Sequence, residues 1–373
     1  MKKLMLLPLV LLMLVVSCKQ LQKEKEEVKE EETEEIDEIK DTPEKEADYV
    51  ARDISEVDIV EIYDGELSIR AITIMQGNLA FAGSKNTYGI YNTDSKTTRT
   101  STVEFDSLDI EFRAVASTSS DFYMLSIANP AILIKTGDNG QLDLVYKEEH
   151  EKVFYDSMTF WNDLEGIAMG DPVEDCISII ITRDGGKTWR KLTCDILPTA
   201  AEGEAAFAAS DTNIKVVGDK TWIVTGGTKS RVLYSPDKGE TWEVFDTPIV
   251  TGDAKGIYSV DFYDDTNGIV IGGSFKEPND SIANKAVTND GGKTWKLVAS
   301  GQAPGYRSCV QYVPGGMAKE IVALGFKGID YSKDGGVTWK HLSDESFYTL
   351  RFLNDSVAYA AGNNRIAKLT LRE

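Results

Sequence analysis

Between residues 57 and 371 the apolar positions come in short runs separated by clusters of Asn, Asp and Gly, the pattern of strands joined by tight turns. Phe160-Trp-Asn-Asp163-Leu-Glu-Gly166, Phe262-Tyr-Asp-Asp265-Thr-Asn-Gly268 and Phe352-Leu-Asn-Asp355 each end one apolar run and precede another, at 167–169, 269–271 and 357–361. Asn, Asp and Gly supply the turn chemistry, so each segment is expected to be the hairpin between the first two strands of a repeating unit. The stretch 261–267 is acidic enough to suggest a calcium loop, but its equivalents lack a matching ligand set, and a plain turn is expected.

A second pattern is more specific. Thr182-Arg-Asp184-Gly-Gly186-Lys-Thr188-Trp189, Ser235-Pro-Asp237-Lys-Gly239-Glu-Thr241-Trp242, Thr288-Asn-Asp290-Gly-Gly292-Lys-Thr294-Trp295 and Ser332-Lys-Asp334-Gly-Gly336-Val-Thr338-Trp339 share the form Ser/Thr-x-Asp-x-Gly-x-Thr-Trp. Each residue type has a task at a hairpin. The carboxylate can accept backbone N–H groups of its own turn, the Gly tolerates a left-handed conformation, and the Trp ring can pack between neighbouring units. The repeat resembles the Asp-box of bacterial neuraminidases (BNR repeats). That resemblance places the boxes at the periphery of a β-propeller, with a structural and not a catalytic role.

Weaker copies lie upstream. Asn92-Thr-Asp94-Ser-Lys-Thr-Thr98 has Lys96 for Gly and Arg99 for Trp, and Thr136-Gly-Asp138-Asn-Gly140 keeps only the first half. The Asp positions 94, 138, 184, 237, 290 and 334 then step by 44, 46, 53, 53 and 44 residues, the size of a four-stranded propeller blade. Six blades follow. A seventh is expected from 347–371 plus an N-terminal strand near 57–63, which closes the ring and removes its open edge. The fold class is all-β, a seven-bladed propeller occupying 51–373.

The start of the chain reads differently. Met1-Lys2-Lys3 precedes an apolar run at 4–16 and then Val15-Val16-Ser17-Cys18, which looks like a lipobox: a signal peptide over 1–17, cut before a lipidated Cys18. The run is too short to span a membrane as a helix. Residues 19–48 carry 14 acidic and 6 basic side chains, a composition that buries no core, so 18–50 is expected to be an acidic tether on a membrane-anchored envelope protein. Removing the tether (−8) and the two leader lysines (+2) from the net charge of −21 leaves about −15 on the propeller. With no basic stripe interleaved with aromatics, nucleic-acid binding is disfavoured.

Cys176 and Cys194 are equidistant from residue 185, at the centre of one box, so they could face each other across two strands; a disulfide and two buried thiols both remain open. Cys309 reads as a small core residue on a first strand. With two histidines, no Cys-x-x-Cys, no Gly-x-Ser-x-Gly and no phosphate loop, neither a metal nor another cofactor is implied, and dehydrogenase and serine-hydrolase readings lose their basis.

Candidate chemistry is confined to the inner strands. Aligning the segments that follow each box brings Arg70, Arg113, Asp156, Glu204, Tyr258, Arg307 and Tyr348 to one position. With the same phase these side chains would converge on the channel mouth, where a positive surplus would favour a carboxylate-bearing small ligand or an acidic peptide or protein. They could equally neutralise one another as a structural collar. The composition is also similar to that of sialidases, which hold a sugar carboxylate with three Arg. On that resemblance Tyr348, Tyr258, Glu204 and Asp156 are the candidate catalytic residues of an envelope glycoside hydrolase, although the first Arg lacks the family's Arg-Ile-Pro and sialidases have six blades.

Over 57–371 the chain most resembles the photosystem II stability/assembly factor family, through Phe262-x-Asp-Asp-x-x-Gly268 followed by Asp290-Gly-Gly-Lys-Thr-Trp295, and through inner-strand arginines, here Arg70, Arg113 and Arg307, similar to that family's basic patch. The resemblance implies a seven-bladed propeller that helps assemble a membrane complex. In this chain the anchor and tether point to a bacterial-envelope version that binds its partner through the channel face.

Overall fold

The computed structural model describes residues 49–373 apart from 106, 107, 138 and 139; the predicted signal peptide, Cys18 and nearly all of the tether lie outside the described residues, as does Asp138. Seven antiparallel sheets follow one another as blades. Blade 1 is built from Ala71–Met75, Asn78–Ala82, Thr87–Asn92 and Thr97–Thr102, and blades 2 to 6 repeat this up-and-down order, their inner strands being Phe112–Ser117, Tyr155–Phe160, Ile214–Val217, Lys255–Phe262 and Cys309–Tyr312. Blade 7 takes its three inner strands, Thr349–Phe352, Val357–Ala361 and Asn363–Arg372, from the end of the chain and its outermost strand, Glu56–Ser68, from the start. The closing strand is longer than 57–63 because it continues through two bulges to Ser68 opposite Asn363.

The boxes join the third and fourth strands of blades 3 to 6, on the outside of the ring. In each, one Asp oxygen accepts the Thr N–H at 2.8–3.0 Å and the other accepts the Thr hydroxyl at 2.6–2.7 Å. The glycine sits at a φ of +69° to +87°, and its carbonyl accepts the Trp indole N–H. The blade 1 copy differs: Asn92 organises that turn, its Oδ1 accepting the Ser95 N–H at 2.7 Å and the Ser95 hydroxyl at 2.9 Å. An amide two residues earlier thus does locally what Asp94 was expected to do.

The core lies between blades. Each blade shows one apolar face to the preceding blade and one to the next, as where Tyr123 and Leu133 of blade 2 pack with Met158, Ile180 and Trp189 of blade 3. Trp222 of blade 4 is fully buried, stacks on Phe262 of blade 5 at 3.8 Å and donates to the Gly291 carbonyl at 2.8 Å. Trp242, Trp295 and Trp339 are only half-buried. Cys176 and Cys194 are joined by a disulfide with Cα atoms 5.5 Å apart, and Cys309 is a free, buried thiol at the start of the blade 6 inner strand. In the turn after Phe262, Asp264 accepts the Thr266 and Asn267 N–H groups at 2.8 and 2.7 Å, while Asp261 turns inward to accept the Tyr312 N–H.

Candidate functional site: the mouth of the central channel

A segment of chain lies on the propeller axis. Ser210 donates its hydroxyl to the Ser308 carbonyl of blade 6 and its carbonyl accepts the Thr349 hydroxyl of blade 7. Asp211 takes the Val115 N–H of blade 2 on one oxygen, at 2.9 Å, and the Met158 N–H of blade 3 on the other, at 3.0 Å. Thr212 reaches Ser259 of blade 5, and the Ala209 carbonyl accepts from Arg70 beside blade 1. Neighbouring residues reach all the other blades only if they cross the axis. On one side of the crossing is a cavity of about 270 Å³ lined by Lys215, Asp261, Gln311 and Arg351; on the other is the mouth, a cavity of about 560 Å³ lined by residues at the starts of inner strands, by the crossing itself and by Asp171, Phe275 and Phe326.

Four of the seven aligned residues line this mouth: Arg70, Arg113, Tyr258 and Tyr348. Arg113 and Tyr258 both occupy bulges of their inner strands, at the breaks between Phe112 and Ala114 and between Ile257 and Ser259. A bulge residue is released from the alternation of the strand and can aim at the axis. Arg70 lies with its guanidinium 3.9 Å from the Tyr348 ring centre, and its nearest polar contact is the Ala209 carbonyl at 3.4 Å. Its Nε is buried without a hydrogen-bond partner, and among the described residues it forms no ion pair. Burial and the neighbouring Arg113 lower its pKa, so its positive charge is poorly compensated. Arg113 is paired with Glu111 at 2.8 Å.

The other three residues point elsewhere. Arg307 is buried in blade 6, its Nε 2.6 Å from Asp330 and its Nη1 2.8 Å from the Tyr306 carbonyl. It compensates a buried acid that also meets His341 at 3.0 Å. Glu204 is not on an inner strand: it forms a two-residue ladder with Gly227, ten residues before the blade 4 inner strand begins, and its buried carboxylate is held by Arg231 and by the Thr225 hydroxyl at 2.7 Å. The 53-residue step into this blade leaves room for this segment and the axial crossing, but an equal step leads into blade 5, so spacing did not single it out. Asp156 occupies a bulge like Arg113 but is fully buried with neither oxygen hydrogen-bonded.

Arg70 and Arg113 form a cationic part of the mouth; it also has an aromatic wall, of which the sequence had shown only Tyr258. Phe207 of the crossing stacks on Tyr258 at 4.1 Å, Tyr258 meets Tyr306 edge-on at 4.8 Å, and Tyr306 lies 5.4 Å from Phe326. The pattern was hidden because three of these side chains come from connections between strands. For glycoside hydrolysis a Tyr nucleophile needs a carboxylate partner. The Tyr258 hydroxyl donates to the Ala254 carbonyl instead, Glu204 is engaged by Arg231, and no carboxylate hydrogen-bonds Tyr348 among the described residues.

Three acids lie buried near the axis. Burial, with the repulsion of Asp171, pushes Asp156 well above the usual carboxylate range. Burial pushes Asp171 to about 6 and Asp211 to about 7. An acid whose folded pKa is raised binds more protons in the folded state, so above the carboxylate range, where the lowered box acids such as Asp184 and Asp290 are already ionised in both states, stability should fall as pH rises from about 5 towards 7. Denaturant midpoints measured across that range should decrease, and Asp156→Asn should flatten the slope; a midpoint rising through the range would contradict this assignment.

No protein-family model matches the sequence, and no curated protein matches it significantly. Solved structures do. YCF48 bound to D1 peptide superposes with a TM-score of 0.60 at 16% identity, over 87% of this chain and 97% of that one. YCF48 from Cyanidioschyzon merolae gives 0.62 at 13%, over 85% and 99%, and the WD40 repeats of RRP9 give 0.60 at 11%, over 86% and 100%. At such identities the likeness is one of fold, and it is that of the seven-bladed β-propellers.

Proposed function

We propose that this propeller is a binding or assembly protein whose ligand is an acidic peptide or protein segment taken at the channel mouth. The observation that carries the reading is Arg70, a guanidinium beside the axis with no carboxylate of its own. A carboxylate entering the mouth would supply the missing charge-assisted hydrogen bonds, and the aromatic wall would cover the adjoining apolar part of the ligand. The structural similarity to YCF48, which was solved with a D1 peptide, supports a peptide as the kind of ligand. Nothing in the geometry of Tyr258, Tyr348 and Glu204 favours the glycoside-hydrolase alternative.

The test is a peptide array in which Asp or Glu replaces Asn or Gln at successive positions. The native protein is expected to retain the acidic members. Arg70→Ala should weaken them by roughly 10- to 100-fold, the worth of about 1.5–3 kcal/mol for hydrogen bonds to a charged group, with an unchanged melting temperature. No preference for acidic over amide peptides in the native protein would defeat the reading.

The setting we propose is the bacterial envelope, with the chain anchored by lipid on Cys18. Cys18→Ala should then move the protein from the membrane to the soluble envelope fraction and abolish metabolic lipid labelling, because the acidic tether has no membrane affinity of its own. Unchanged fractionation and labelling would remove this part.

A further inference from the structure

The cavity on the far side of the crossing from the mouth has a chemistry of its own. The inner strands of all seven blades line it, from Thr73 of blade 1 round to Arg351 of blade 7, and Asp211 and Thr212 of the crossing separate it from the mouth. A single water needs roughly 10–15 Å³ of such space, so about 270 Å³ has room for a small molecule. Solvent reaches its two cations, the Lys215 and Arg351 side chains being 33% and 19% exposed.

Free donors outnumber free acceptors here. Both acids have their oxygens engaged by the protein, Asp211 by the Val115 and Met158 N–H groups, Asp261 by the Tyr312 N–H and by Lys215, each at 2.6 Å. Both cations keep N–H groups to spare. Arg351 uses three of its five, on the Thr349 hydroxyl at 3.1 Å and on the Leu350 and Asp211 carbonyls, both at 2.8 Å, and its Nε has no partner among the described residues. Those three bonds fix the guanidinium before a ligand arrives, so little ordering is lost on binding. The Asp211 carboxylate lies 3.8 Å from Arg351, beyond hydrogen-bond range, and burial raises that acid to about 7, so it balances the guanidinium only in part at neutral pH. Lys215 uses one of its three N–H groups, on Asp261. Beside these cations the Thr159 hydroxyl and the Gln311 amide make no hydrogen bond among the described residues.

We propose that this second cavity is a binding site for a small hydroxycarboxylate, whose carboxylate takes the spare N–H groups of Arg351 and Lys215 and whose hydroxyls meet Thr159 and Gln311. The cations call for an anion because the acids beside them have no lone pair directed at the cavity that the protein does not already use. A hydroxylated chain fits better than a bare inorganic anion or an aliphatic acid, since the remaining polar groups lie unpaired on the same walls and an apolar tail would leave them so. The site lies across the crossing from Arg70 and does not rest on the peptide reading of the mouth.

The test uses the full chain with methyl-labelled methionine, reading by NMR the methyl of Met158, which lines this cavity and not the mouth. Gluconate is expected to shift that signal saturably. Sorbitol, which lacks the carboxylate, and hexanoate and inorganic phosphate, which lack the hydroxylated chain, should each bind at least several-fold more weakly. Lys215→Gln, which can still donate to Asp261, should weaken gluconate roughly 10-fold or more, the worth of a hydrogen bond to a charged group. Thr159→Val and Gln311→Leu remove groups that have no partner in the protein, so both should fold as the native chain does and weaken gluconate roughly 2- to 10-fold each. The shift should persist in Arg70→Ala. No saturable shift at Met158 overturns the site, and so does its loss in Arg70→Ala, which would place the anion at the mouth. Sorbitol binding as well as gluconate overturns the carboxylate, phosphate or hexanoate doing so overturns the hydroxylated chain, and undiminished affinity in both Thr159→Val and Gln311→Leu overturns the assigned contacts.

Discussion

Trp222→Ala should lower the unfolding free energy by about 3–5 kcal/mol, the range for deleting a fully buried large aromatic. The side chain stacks on Phe262 across the interface of blades 4 and 5, and its indole N–H closes on the Gly291 carbonyl of the next blade's box. Its removal leaves a cavity between two rigid sheets and an orphaned carbonyl in a turn, and neither sheet can collapse into the space without disturbing its own hydrogen-bond ladder. Trp189→Ala should be nearly as costly, because that ring is also buried. Trp242→Ala, Trp295→Ala and Trp339→Ala should cost less, since part of each ring already faces water. Denaturant unfolding of the five variants gives this order directly; equal losses at all five positions would mean that the box residue itself, and not its burial, sets the cost.

Asp211→Ala should be comparably damaging for a different reason. The carboxylate lies on the axis and accepts one backbone N–H from blade 2 and one from blade 3, with Arg351 of blade 7 3.8 Å away. Each buried donor left without a partner costs about 1–3 kcal/mol, so the two together amount to about 2–6 kcal/mol. Asp211→Asn separates this from simple loss of volume. The amide oxygen can still accept one N–H, but the amide nitrogen then faces the other donor, so the isosteric variant should keep only part of the stability. The comparison belongs at pH 8, above the raised pKa of about 7, where the carboxylate is ionised. An Asn variant as stable as the native protein would show that the two hydrogen bonds contribute little.

The blade count was legible because a propeller blade is a local object. Its four strands are consecutive, its turns use Asn, Asp and Gly for reasons of backbone geometry, and its box satisfies its own Asp with groups two to four residues away. Closure was legible for a related reason, since a chain with six complete blades has to pair its two ends or leave an edge exposed. The mouth was half legible. Arg70, Arg113, Tyr258 and Tyr348 were found by aligning inner strands. Arg307 obeyed the same alignment and still turned into its blade, because Asp330 lies on a strand of that blade and a buried carboxylate attracts a guanidinium more strongly than an open cavity does.

What the sequence by itself determined was therefore everything set within about fifty residues of chain: the strands, the turns, the repeat and the ring closed by its ends. Only the tertiary structure decided what stands on the axis. Seven strands from seven blades meet there, so the environment of each side chain is made by residues far away in sequence. The crossing at 205–212, the guanidinium of Arg70 without an ion pair and the burial of Asp156 all arise from such meetings, and no local pattern encodes them.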